Sequence, residues 1–218
     1  MKILIIGSGM VGSQTALLLL LEDITDTVYL YDKNTDKARG ESMDINQCMS
    51  VMNNEKECIA ISNVQSSDII IVAIGRRRVP GEIRADLFKD NQHDVIDVCR
   101  RIQLQAPKAV ILMATNPSDD FTRLAKELTS CEVHSIGTDL DTARLRELIH
   151  SKTDVPRKDI TAYVSGEHGE NMEVHGTDKA TAEQCTQIAI NTISLKGATV
   201  FAPSMTIVNK VRSIIEQN

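Results

Sequence analysis

A short apolar run that breaks into glycines leaves few folds open to this chain. Ile3-Leu4-Ile5-Ile6 is followed by Gly7, Gly9 and Gly12, and then by the apolar stretch Ala16 to Leu21. Glycines spaced this way between a strand and a helix permit a tight turn, a close backbone approach to a pyrophosphate, and close helix packing. The helix that follows aims its unpaired N–H groups at that anion. A second apolar run, Val28-Tyr29-Leu30-Tyr31, ends in Asp32, where a carboxylate accepts hydrogen bonds from ribose hydroxyls and repels an added phosphate. The expected ligand is therefore NAD rather than NADP, and its expected contacts here are Gly7, Gly9, Met10, Val11, Gly12 and Asp32.

Strand and helix patterns alternate beyond this unit, which is the mark of a doubly wound parallel sheet with helices on both faces. Strands are expected near 2–6, 27–31, 58–61, 68–73, 109–114 and 132–135, and helices near 11–22, 35–51, 85–105 and 118–129. The character changes after Gly137: a helix over 140–150, a polar break through Pro156, a strand over 160–164, then a helical pattern over 181–217 that Gly197 and Pro203 should interrupt or kink. The reading is an α/β, Rossmann-type domain over 1–136 and an incomplete, mainly helical second domain over 137–218.

Composition narrows the function classes. A net charge of −6, with basic residues dispersed apart from Arg76-Arg77-Arg78, gives no reason to expect a nucleic-acid partner. Five cysteines without C-x-x-C spacing indicate neither a disulfide framework nor a zinc site, so no metal is expected. The apolar runs are too short to span a bilayer, and Met1 leads directly into a strand, so the expectation is a cytoplasmic protein without a membrane partner.

Two further segments point to chemistry on a carboxylate. Arg78-Val79-Pro80-Gly81-Glu82-Ile83-Arg84 offers two guanidinium groups on a Pro/Gly-bounded loop, and guanidinium is well shaped to hold carboxylates through paired hydrogen bonds. Gly166-Glu167-His168-Gly169 offers an imidazole, which exchanges a proton near neutral pH. Arg76 and Arg77 are expected to face solvent, and His93, His134, His150 and His175 to be structural.

With these segments in hand, the chain resembles the lactate and malate dehydrogenases. The resemblance also runs through Ala73-Ile74-Gly75, Arg84-Ala85-Asp86-Leu87 with Asn91, Ala114-Thr115-Asn116-Pro117, Leu140-Asp141-Thr142-Ala143-Arg144-Leu145-Arg146 and Lys196-Gly197-Ala198-Thr199. It implies NAD-dependent oxidation of a 2-hydroxy acid, with His168 as the proton-exchanging catalytic residue and Asp141 as its orienting carboxylate. Arg144 would hold the C1 carboxylate, Arg84 would polarise the C2 oxygen, and Arg78 would take a second carboxylate. Asn116 would bridge substrate and nicotinamide ribose, and Asn91 resembles another cofactor contact. Arginine at the position of Arg78 is similar to the malate type rather than to the glutamine of the lactate type. The implied partners are a small dicarboxylate substrate and further copies of the chain in a homo-oligomer.

Family members have a longer connection around Met172 to Thr181 and continue past the segment that ends this chain. Apolar surface on Val164, Val200 and Phe201 is therefore expected to lack a partner. Two alternatives stay open: an NAD-binding remnant with little or no turnover, and a dehydrogenase for another 2-hydroxy acid such as lactate.

Overall fold

The computed structural model describes residues 1–76, 82–168 and 171–217. Its central element is a six-stranded parallel sheet built from β1 (Ile3–Ile6), β2 (Thr27–Tyr31), β3 (Glu57–Ile61), β4 (Ile69–Val72), β5 (Val110–Met113) and β6 (Glu132–Ser135). The order is β3-β2-β1-β4-β5-β6, so the chain winds outward in both directions from the β1–β4 pair, in which Ile3 lies beside Ile69 and Ile6 beside Val72. Ligands of such sheets bind where the order reverses, outside the carboxyl ends of the strands.

The continuous apolar strands follow from burial on two faces. Successive side chains point to opposite sides, and the core divides accordingly. Ile3, Ile5, Ile69 and Ile71 enter one cluster, while Leu4, Ile6, Ile70 and Val72 enter the other. Helices α1 (Met10–Leu21) and α2 (Thr35–Val51) cover the first face through Leu19, Leu20, Ile45 and Met49. Helices α3 (Arg84–Gln105) and α4 (Ser118–Leu128) cover the second through Val95, Ile102, Phe121 and Ala125.

Residues 137–217 add α5 (Gly137–Thr153), a single 3-10 turn at Arg157–Asp159, β7 (Tyr163–Gly166), β8 (Met172–His175), α6 (Lys179–Lys196) and α7 (Phe201–Gln217). The two strands form an antiparallel hairpin in which Val164 lies opposite Val174. Helix α7, grouped by sequence with the second unit, lies on the first core: Ile207, Val208, Val211 and Ile214 join the cluster that contains Leu19 and Leu20. Ser204 Oγ donates to the Val11 carbonyl at 3.2 Å, and Arg212 pairs with Glu22 at 3.0 Å. This explains the apolar circumference of α1, which is enclosed between the sheet and α7.

Two sequence expectations change and two hold. Val164 is buried, 5% exposed, in a small core with Leu145, Ile160, Ala162 and Cys185, because the hairpin and α5 supply the partner thought to be missing. Phe201 does remain 67% exposed. The helical pattern over 181–217 does break and restart as expected: Gly197 caps the end of α6, and Pro203 is the third residue of α7, where the first-turn N–H groups have no intrahelical partner to lose. The strand expected at 160–164 begins later, at Tyr163, and is joined by β8, a short alternating segment easily passed over between turns. No helix among the described residues is long and apolar enough to cross a membrane.

Candidate functional site

The glycine turn follows β1, at the carboxyl edge of the sheet. Gly7 has φ +108°, and a Cβ there would lie 2.3 Å from the Ala73 carbonyl oxygen; one on Gly12 would lie 1.8 Å from the Gly7 carbonyl oxygen. Backbone packing therefore accounts for both residues. It does not account for Gly9, whose Cβ position has nothing within 4 Å. Gly9 is the N-cap of α1, with no side-chain cap and no acidic residue in the first turn. The missing Cβ thus leaves open space before uncapped N–H groups, including those at Met10 and Val11, and this fits a bound pyrophosphate.

Asp32 stands beside this turn. Its Oδ2 accepts from Ser8 N at 2.8 Å and Ser8 Oγ at 3.0 Å, and its Oδ1 accepts from Asn34 N at 2.9 Å. Partial burial raises its pKa, but these hydrogen bonds outweigh that effect and hold the carboxyl below its ordinary range. An ionised carboxylate has about four acceptor positions, so one on Oδ1 remains for a ribose hydroxyl.

Asn91 is 2% exposed on α3 and acts as a backbone bracket. Its Oδ1 accepts from Arg76 N at 2.9 Å, while its Nδ2 donates to the carbonyls of Arg76 at 3.3 Å and Asn116 at 3.1 Å. It thereby fixes the chain after β4 to the chain after β5. Asn116 itself is exposed, just past the end of β5. Arg76 is exposed, as expected, and its guanidinium also forks onto Glu82 and Asp90, because α3 begins beside it. Arg84 is half-buried at the start of α3, whereas Arg78 and Arg77 lie outside the described residues.

The surroundings of His168 are assembled from three segments. Helix α5 places Asp141 and Arg144 one turn apart on its inner face, where Asp141 is 3% exposed. Asp141 Oδ2 makes a short contact with His168 Nδ1, and its Oδ1 accepts from Arg144 at 3.0 Å. Burial alone would raise the Asp141 pKa; its interactions with His168, and then with the Arg144 guanidinium, reverse this and lower it. With Nδ1 committed to Asp141, Nε2 is the ring nitrogen left to exchange a proton with another group. The backbone N–H of His168 donates to Asp119 Oδ2 on α4 at 2.9 Å. Sequence reasoning missed Asp119 because an acid in the first turn of a helix is common for the helix dipole alone.

This pair has a consequence for acid stability. A folded-state pKa lowered below the unfolded value, about 3.9 for aspartate, adds stability that is complete above that value and disappears as pH falls through the lowered one. Acid titration followed by circular dichroism should show Asp141→Asn lacking this protection: its stability deficit relative to the parent should narrow below about pH 4, as the parent loses the contribution. Parallel acid limbs for the two proteins would contradict the assignment.

The other histidines have separate settings. His134 contacts Glu132, His150 the Val155 carbonyl and His175 the Ser165 hydroxyl, while His93 is exposed. Among the described residues there is no cluster of three or more His, Cys, Asp or Glu arranged to hold a metal.

Comparison with known proteins gives this geometry a context. Residues 1–136 match the family described as lactate/malate dehydrogenase, NAD binding domain. The chain is 31% identical over 231 residues to a malate dehydrogenase of Archaeoglobus fulgidus, covering 99% of this chain and 78% of that protein. It is 32% identical over 185 residues to an L-lactate dehydrogenase of Mesoplasma florum, covering 83% of this chain and 58% of that protein. The solved structure of the Archaeoglobus fulgidus malate dehydrogenase in complex with NADH matches with a TM-score of 0.87 at 30% identity, again over 99% of this chain and 78% of that one. The chain thus spans little more than half the length of some curated relatives it matches.

Proposed function

The chain belongs to the lactate/malate dehydrogenase family, and from that premise we propose that it interconverts malate and oxaloacetate by hydride transfer to and from NAD. The observation that carries this reading is His168 bound to buried Asp141, which also anchors Arg144, in a chain that carries a glycine turn suited to a dinucleotide.

Bound NAD would supply the hydride acceptor, and NADH the donor. The chain's own groups would manage the substrate. In the reductive direction, His168 donates a proton from Nε2 to the C2 oxygen, and Asp141 stabilises the imidazolium before and orients the imidazole after that transfer. Arg144 uses one guanidinium N–H on Asp141, leaving others to grip the C1 carboxylate. Arg84 stabilises negative charge developing on the C2 oxygen, while Asn116 contacts substrate and nicotinamide ribose. Arg78 would pair with the second carboxylate, which is what favours malate chemistry. We further propose a cytoplasmic homo-oligomer as the working form.

A lactate-type reading has its own support in the relatives named L-lactate dehydrogenase. Steady-state kinetics with oxaloacetate and pyruvate separates the two: malate chemistry requires oxaloacetate to have the higher kcat/KM. Equal or reversed values would favour the lactate reading.

Asp32 makes a separate prediction about the cofactor. NADH should bind more tightly than NADPH, and Asp32→Ser should narrow the difference by about 1.5–3 kcal/mol, the scale of hydrogen bonds to a charged group. Fluorescence titration with both cofactors measures this directly. Equal affinities in the unaltered chain would remove the proposed ribose contact.

A further inference from the structure

The catalytic imidazole is restrained through both its ring and its backbone. Asp141 on α5 holds the ring. Asp119 on α4 accepts the His168 backbone N–H at 2.9 Å, although the two residues are 49 positions apart. The other Asp119 oxygen lies 3.5 Å from the position a Cβ on Gly137 would occupy, at the first residue of α5. Asp119 therefore sits where the start of α4, the start of α5 and the His168 loop converge. One turn further along α4, Arg123 bridges Asp120 and Glu167, the residue before His168.

We propose that Asp119 is a positioning residue for His168, with the Arg123–Glu167 ion pair as a secondary tether. The proposal rests on the function assigned above and adds how the site is held in register. Asn116 and Asp119 belong to one short segment: β5 ends, Asn116 follows, and α4 begins at Ser118. The segment expected to meet substrate and nicotinamide ribose thus also anchors the proton donor. Its geometry fixes the separation between hydride-transfer and proton-transfer partners. Exposed ion pairs contribute little by themselves, so Arg123–Glu167 is the weaker restraint, while the charge-assisted hydrogen bond from a backbone N–H is the stronger.

Loss of this hydrogen bond permits displacement of the imidazole, and a misplacement of about 1 Å can lower the rate by about 10²-fold. Asp119→Ala should therefore lower kcat by about that factor while leaving NADH affinity and substrate KM nearly unchanged. Asp119→Asn retains an acceptor oxygen and should restore most of kcat. Arg123→Gln should lower kcat less, in the same direction, and provides a second variant if Asp119→Ala does not fold. A role limited to helix-end charge predicts instead that Asn and Ala behave alike.

The decisive measurement combines these kinetics with ¹⁵N-histidine NMR of each NADH-bound protein. The expected result is a changed His168 ring signal and faster exchange of its backbone N–H in Asp119→Ala, with both largely restored in Asp119→Asn. Unchanged ring signals in a folded Asp119→Ala protein would overturn the positioning role, as would unchanged kcat in an active enzyme. If the unaltered chain lacks turnover, the proposed function fails, but the ring signals still decide whether Asp119 positions His168.

Discussion

His168→Asn should remove roughly 10²–10⁴-fold of turnover, the range attributable to a positioned acid or base, while NADH binding stays nearly unchanged. Asparagine can fill part of the space but cannot exchange the proton. Reduction requires the protonated imidazole and oxidation the neutral one, so the two directions should show opposite pH limbs: reduction declines as pH rises through the controlling ionisation, and oxidation declines as pH falls through it. Asp141→Asn should also be severely impaired. It replaces the buried carboxylate that contacts both His168 and Arg144, weakening control of the imidazole tautomer and leaving a guanidinium with a poorer partner. Initial rates in both directions, measured beside NADH titrations, check these outcomes. Substantial activity in His168→Asn would reject its proton-exchanging role.

Arg78→Gln should greatly reduce the preference for oxaloacetate over pyruvate. In a closed site, pyruvate would leave the Arg78 guanidinium without the second carboxylate, and separating a buried charge from its partner costs about 2–5 kcal/mol. That corresponds to roughly one and a half to three and a half orders of magnitude in the ratio of kcat/KM values. Glutamine removes the carboxylate-binding charge and the penalty imposed on pyruvate, so oxaloacetate should lose most of its advantage. The measurement is the two-substrate kcat/KM ratio in the parent and variant. Because Arg78 lies outside the described residues, this prediction rests on the sequence pattern, and an unchanged ratio would leave the malate assignment without its discriminating residue.

The sheet was legible because two-sided burial leaves continuous apolar strands, and alternating faces leave nothing ambiguous in Ile3 to Ile6. The glycine turn was legible for a related reason: Gly7 and Gly12 satisfy backbone constraints, and Gly9 leaves space at a helix end. The placement of α7 was harder to read. Its apolar face is apparent in sequence, but its contact with α1 depends on a return of the chain across the first core. The hairpin partner β8 was also obscure, because its four residues carry little periodic signal.

The site shows the same division between local pattern and distant contact. Asp141 and Arg144 were recognisable on one helix, but their burial and shared contact with His168 arise only when α5 meets the loop after β7. Asn91 stood out only through resemblance, while its bracket between Arg76 and Asn116 requires the carboxyl ends of β4 and β5 to lie together. Asp119 was concealed by its ordinary position in an acidic first turn. Hydrogen bonds between residues far apart in sequence carry no local periodicity, so composition and spacing do not reveal them.

The most direct test of the account is oxaloacetate-dependent oxidation of NADH by the purified chain, run beside equilibrium NADH binding. Saturable binding together with oxaloacetate turnover that disappears in His168→Asn is the predicted result. Saturable NADH binding without turnover would contradict the proposed dehydrogenase activity and identify the chain as a cofactor-binding protein.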